Sequence, residues 1–359
     1  MIFRIFLPLI LFSSCTMVSY LTEQGLEQVK LQLNGRHNDE FLNDPGVSEE
    51  MKRKVLLIGE YKKFFYHYFG RKPTNIYDKI TILPNKAVTY LVIASPHTKI
   101  SAHEFNFPLM GSFPYIGFFN KSSAQSFAQS LSEDQNLVTY IRPVYAYSTL
   151  GYFEDRILSS FFHYDDVELA ELIFHELFHT IFFIKDEVDV NENLANLFGK
   201  ALLREFFKER NELKLFLENE AKKEKLSSRV VELIGILKDE FSKLGGFITD
   251  KKADIMTKRF VTEVFIPDLT SFCHSLMLPE EDCDIKEEWN QASFAAFLTY
   301  EEDQDFLKNL QEGLKLNLKD YLVWLQKEYD SFKEQSKVKT FSDYLKNKLR
   351  LQNATHLTD

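Results

Sequence analysis

His175 and His179 stand four residues apart with Glu176 directly after the first, in His175-Glu-Leu-Phe-His179. On a helix, positions i and i+4 lie one turn apart on the same face, so both imidazoles can reach one ion at the roughly 2.0 to 2.1 Å of a Zn–N bond. Glu176 is rotated by about 100° from His175, which puts its carboxylate at the flank of that ion, where a general base toward a metal-activated water is needed. Catalytic zinc takes three protein ligands and leaves its fourth position to water. Glu192, thirteen residues after His179, can complete a His2Glu set for one Zn2+ ion. The chemistry of that set is hydrolysis at a carbonyl, with His175, His179 and Glu192 as ligands and Glu176 as base.

Two helices must position these groups. The first spans Asp166 to Phe183, starts at Asp165 or Asp166 as N-cap, and is apolar at almost every other position, among them Leu169, Ile173, Phe174, Leu177 and Phe178. A helix that is hydrophobic all round is buried. Two histidines and a carboxylate inside it need partners, because an unpaired buried polar group costs about 1 to 3 kcal/mol, and one ion satisfies all three. The second helix opens at Asn191-Glu-Asn-Leu-Ala-Asn196, after a short Lys185–Val190 connection that lets it fold back on the first. Asn196, one turn after Glu192, is placed to hold a ligand from behind.

H-E-L-F-H followed by N-E-x-x-A resembles the gluzincin metallopeptidases. The segments Ala146–Asp155, Leu169–His179 and Val190–Glu192, with Tyr20–Gly25, Phe107–Gly111, Tyr115–Phe119 and Trp289–Phe294, resemble a bacterial family described as putative aminopeptidases, many of which carry a lipoprotein signal. The resemblance implies a zinc-dependent aminopeptidase acting on peptides. It also favours Tyr147 as the donor that stabilises the oxyanion, with Tyr145, Tyr152, His163 and His274 as the other candidates. Asn290 lies in a family-like segment and is a candidate for substrate binding. The Gly-x-Met-Glu-Asn motif by which one class of zinc aminopeptidases captures a free amine is absent, which leaves Glu154 and Asp155 as candidates for that task. A zinc endopeptidase of the cell envelope, or an inactive envelope lipoprotein that acts by binding, are the alternatives.

Residues 1–14 read as a signal peptide, with Arg4 as its positive region and Ile5 to Phe12 as its apolar core. Eight residues rise about 12 Å as a helix and cannot cross a hydrocarbon layer of about 30 Å. Ser13 and Ser14 before Cys15 resemble a lipobox, with Phe12 where that motif usually has Leu, so Cys15 is expected to become the lipidated N-terminus and membrane anchor. Thr16 rather than Asp after the cysteine resembles the outer-membrane sorting pattern. The expected location is the cell envelope, facing the periplasm, or secretion if Cys15 is not lipidated. In that oxidising compartment Cys273 and Cys283, the other two cysteines, are read as a disulfide rather than two buried thiols.

The 359 residues carry 45% hydrophobic side chains and a formal charge of -10, with no basic block, which gives an ample core and argues against a nucleic-acid partner. Tyr20–Leu33 and Ser48–Phe69 read as helices. Val88–Ala94, Tyr115–Phe119 and Leu137–Tyr147 are β-branched and aromatic runs of strand composition, and Pro143 marks an edge or a bulge in the last. An edge strand beside a metal can align an extended peptide by main-chain pairing. After Phe198 the chain reads as charged amphipathic helices, through Trp289–Tyr300, Asp303–Lys315 and Leu318–Glu334. The expected fold is α+β, a small mixed sheet packed on the zinc helix with a mainly helical C-terminal half. It forms a single domain over 16–336, sheet-containing to about 165 and helical from 166, followed by a polar tail over 337–359.

Overall fold

The computed structural model of the protein describes residues 14–355, apart from 108–110, 147–153, 209–212, 246–247, 280–281, 284–287 and 336–337. In chain order its elements are α1 (Ser14–Leu33), β1 (Arg36–His37), α2 (Asn38–Leu42), α3 (Glu49–Tyr68), β2 (Lys79–Thr81), β3 (Thr89–Ser95), β4 (Phe105–Phe107), β5 (Gly111–Phe113), β6 (Ile116–Phe118), α4 (Lys121–Gln135), β7 (Val138–Val144) and β8 (Ile157–Leu158). A 3-10 turn over Ser159–His163 leads into α5 (Asp166–Phe178) and α6 (Val188–Phe207). The helical half continues with α7 (Leu213–Leu244), α8 (Asp250–Phe260), α9 (Ile266–Ser275), α10 (Gln291–Glu301), α11 (Gln304–Leu314), α12 (Leu318–Gln335) and α13 (Phe341–Thr355). The fold is α+β with a helical C-terminal half.

Instead of one small mixed sheet, the described strands form three. β1-β2-β8 is mixed, with β2 and β8 parallel; β6-β3-β7 is antiparallel; β4-β5 is a two-stranded pair. Only β3 and β7 are seven residues long, and they pair along their whole length, from Thr89↔Val144 to Ser95↔Val138. The remaining strands have two or three residues each, too short to extend one continuous ladder. β3 is central, so β7 is an edge, as the Pro143 amide without a proton requires.

α4 has no counterpart in the sequence-based expectation. Its many serines are middling helix formers that also compete for backbone hydrogen bonds. The helix is held instead by Asn120, whose side chain caps it, and by Ala124, Ala128 and Leu131 buried against Val92, Ala94 and Ile116 of the sheet. A second difference lies at the C-terminus, where the polar tail forms α13. Phe341 and Leu345, one turn apart, are fully buried in the main core with Tyr321 and Leu325 of α12. A separate cluster around Phe265, Trp289 and Phe294 joins α7, α9 and α10, and Cys273 is bonded to Cys283 within it, at a Cα–Cα distance of 6.0 Å. Among the described residues no helix is long and apolar enough to cross a membrane.

Candidate metal centre

α5 begins with a capping box. Asp165 Oδ1 accepts from the amides of Val167 and Glu168 at 2.8 Å each, and the Asp165 amide donates to Glu168 Oε2 at 3.1 Å. The helix then buries Leu169, Ala170, Ile173, Phe174, Leu177 and Phe178 completely, which fixes the rotation of His175 and Glu176. His179 is its C-cap and lies 7% exposed. The chain turns back through Ile184, whose amide and carbonyl are both held by the buried Asn191 side chain at 2.8 and 2.7 Å. That pair ties the return loop to the first turn of α6, and Glu192 is the next residue.

α6 lies directly on α5 because Gly199 has no side chain. A Cβ there would sit 3.3 Å from both the Glu171 carbonyl oxygen and the His175 amide nitrogen. Glu192 is seven residues earlier, two turns along the same face, and so is carried toward His175. His175 Nε2 and His179 Nε2 are 3.3 Å apart, His175 Nε2 lies 3.3 Å from Glu192 Oε2, and His179 Nε2 lies 3.8 Å from Glu192 Oε1. A tetrahedral ion with bonds of about 2.0 to 2.2 Å has donor-to-donor edges of about 3.3 to 3.6 Å, so the three donors already approximate one face of its shell. The donor set, two imidazoles and a carboxylate, also fits zinc chemically.

The charges are divided by proximity. Burial pulls the His175 imidazole down, but the hydrogen bond and charge of Glu192 overcome it and raise it to about 9. Burial lowers His179 to about 4, against the pull of Glu192 and aided by the neighbouring His175 charge. One carboxylate therefore supports one imidazolium in the metal-free site. Burial raises the Glu176 carboxyl to about 7; the His175 charge opposes this and those of Glu192 and Asp155 add to it. Ligation by an ion requires neutral imidazoles, so occupancy would displace the His175 proton.

The family rests on a wider base than these four residues, since residues 19–341 match the model of the family described as Putative aminopeptidase. The chain belongs to that family. No curated protein and no solved structure matches it. In this member of the putative aminopeptidase family the triad opens into a cleft of about 1040 Å³ between the α5–α6 pair and the sheet, lined by Glu168, Glu171, Leu172 and Glu176 on one side and by Tyr140, Arg142 and Val144 of the β7 edge, with Tyr145 just beyond it, on the other.

The remaining sequence candidates fall in different places. Tyr147 and Tyr152 lie outside the described residues. Tyr145 lines the cleft and its carbonyl accepts from Ser160 Oγ at 2.5 Å. His163 and His274 are exposed and are not among the described residues lining the cleft. Glu154 is exposed, hydrogen-bonded by Asn75 Nδ2 at 3.0 Å, and Asp155 is buried; neither lines the cleft. Asn290 caps α10 by accepting from the Ser293 amide at 2.9 Å and reaches the Thr139 carbonyl of β7 at 3.3 Å, a scaffold role that leaves it no free arm for substrate. The Asn196 side chain hydrogen-bonds His175, and its Nδ2 donates to the Tyr300 carbonyl at 3.1 Å. Sequence reasoning missed Tyr115, Arg142 and Tyr300, which line the cleft and share the electrostatic field of Glu192 and Glu176. They come from three distant segments, and no local pattern joins them.

Proposed function

We propose that this chain is a zinc-dependent peptide hydrolase, an aminopeptidase as its family's description suggests, with His175, His179 and Glu192 as ligands to one Zn2+ ion and Glu176 as general base. The observation that carries this reading is the convergence of three donor atoms, with all ligand atoms within 4.8 Å of one another, at the floor of a cleft that Glu176 also lines. When bound, the ion supplies a water of lowered pKa and polarises the substrate carbonyl. Glu176 takes the proton as water attacks and hands it to the leaving amine. Burial disfavours a bare charge on the Glu176 carboxyl, which suits a group that must both take a proton and give it up. Asn196 holds His175 in the orientation that presents Nε2 to the site. Tyr147 remains the proposed oxyanion donor, on the family resemblance of its segment.

The β7 edge along the cleft favours a second reading, an endopeptidase that aligns an extended chain by main-chain pairing. Cleavage of a free-amine peptide but not of its N-acetylated form separates the two. As to place, the reading is of one catalytic domain over 16–336 behind a signal peptide, anchored through lipidated Cys15 to the envelope, facing the periplasm. Mass spectrometry of the membrane fraction, with and without Cys15→Ser, tests the anchor. The activity test is zinc content and peptide hydrolysis of wild type beside Glu176→Gln and His179→Ala. Glu176→Gln should keep zinc and lose turnover by a factor on the order of 10² or more, and His179→Ala should lose both. Hydrolysis that survives complete removal of metal by a chelator would refute the assignment.

A further inference from the structure

The cleft is divided by charge. Its helical wall carries four carboxylates, Glu168, Glu171, Glu176 and Glu192, and the only Lys or Arg among its described lining residues is Arg142 on β7. Strand alternation fixes which way Arg142 faces. Ile141 packs with Val92 and Ala128 on the α4 side of the sheet, whereas Val138 and Tyr140 pack with Ala292 and Ala296 of α10 on the other side. Arg142, two residues beyond Tyr140 and paired with Leu91, lies on that second side. Its guanidinium carbon stands 4.5 Å from the centre of the Tyr300 ring. Among the described residues it makes no ion pair and no hydrogen bond, although it is half-buried.

A half-buried guanidinium supported by an aromatic face, whose charge acts on Glu192 and Glu301 but forms a close ion pair with neither, keeps its planar fork of donors for something else. That fork matches a carboxylate, to which it bonds through two parallel N–H donors. We propose that Arg142 is the carboxylate anchor of the cleft and makes the substrate class peptides with a carboxylate close to the scissile bond, either the C-terminus of a short peptide or an acidic side chain. This rests on the peptide-hydrolase reading for the identity of the ligand. The Tyr300 ring supports the anchor, and its carbonyl receives the Asn196 amide that also holds His175, so the anchor and the metal ligand are aligned through one residue.

The test is calorimetric binding to the zinc-loaded Glu176→Gln chain, which does not depend on turnover. One pair of probes is trialanine with a free C-terminus against trialanine amide; a second is Ala-Asp-Ala amide against Ala-Asn-Ala amide. In the Arg142 background one carboxylate form should bind about 10- to 100-fold tighter than its neutral partner. The first pair reports a C-terminal anchor and the second a side-chain anchor. Arg142→Gln should erase the preference while zinc content and circular dichroism stay unchanged, and Arg142→Lys, which keeps the charge without the fork, should retain only part of it. No preference in either pair, a preference that survives Arg142→Gln, or no peptide binding at all would overturn the anchor. A preference that depends on Arg142 in a protein whose wild type cleaves none of these peptides would keep the anchor and remove the hydrolase reading. If Arg142→Gln does not fold, the Lys variant decides: a preference equal to that of wild type counts against the anchor.

Discussion

Gly199 is the position at which the metal centre and the fold can be pulled apart experimentally. Replacing a helix-interior glycine by alanine ordinarily stabilises by about 0.8 to 1.0 kcal/mol through backbone entropy. Here the new Cβ would lie 3.3 Å from the Glu171 carbonyl oxygen and the His175 amide, tighter than ordinary van der Waals contact, so α5 and α6 must part by a few tenths of an ångström. The propensity gain and the repulsion offset each other, and the metal-free Gly199→Ala protein should melt within about 1 kcal/mol of wild type. Metal affinity has no such compensation. Glu192 moves with α6 and His175 stays with α5, so the 3.3 Å separation that suits a tetrahedral edge widens. A tenfold rise in the zinc dissociation constant, about 1.4 kcal/mol, is the expected scale. Gly199→Val adds two methyl groups at the same contact, and the about 1 to 3 kcal/mol typical of overpacking should then appear in stability as well. Competition against a chromophoric chelator gives the affinity, and melting of the metal-free proteins gives the stability. An alanine variant that melts higher and binds zinc as tightly as wild type would show that the close approach does not set the ligand geometry.

Asn196→Ala should keep the fold and weaken zinc by about 10- to 100-fold, the usual loss when a ligand histidine loses its outer partner; unchanged affinity in the same competition assay would leave Asn196 without that role. At the start of α5, Asp166 accepts from Arg53 at 2.6 and 2.9 Å and from Lys54 at 2.9 Å. These bonds, Arg53's foremost, hold its carboxyl down at about 2 against an ordinary 3.8. A depressed carboxyl stabilises the fold above its unfolded value and loses that contribution as pH falls through its folded one. Asp166→Asn should therefore cost at most about 1 kcal/mol at neutral pH, since the side chain is partly exposed and screened. The gap should close between pH 3.8 and about 2 in thermal melts, and a gap of constant size across that window would count against the clamp.

What could be read from the chain was what repeats locally. His175, Glu176 and His179 sit in one turn, and the apolar residues around them announce a buried helix. Asp165 or Asp166 marks its start, and Glu192 follows at a distance a short return loop can span. The strands β3, β6 and β7 were legible from β-branched and aromatic runs. α4 was not, because its few apolar residues become a face only when a sheet lies beneath them. The C-terminal segment reads as polar because Phe341 and Leu345 are outnumbered there, yet these two dock α13 together with Tyr344, Leu349 and polar bonds to Glu187 and Asp303 that only the folded partners supply. Arg142 in a strand and Tyr300 at a helix end each look unremarkable alone. Their meeting 158 positions apart in sequence is a product of topology, to which no local period refers.

Asn191, Asn193 and Asn196 are all spent on main-chain carbonyls, those of Ile184, of Asp189 and Thr299, and of Tyr300. A main-chain carbonyl is present whichever residue occupies the position, so mutations at Ile184, Asp189 or Thr299 leave their half of each bond intact, while a mutation at any of the asparagines removes its own. Drift in this protein is therefore lopsided around the metal. These bonds survive side-chain changes at their partners provided the backbones stay in place, and this part of the register therefore falls on three small amides within six residues.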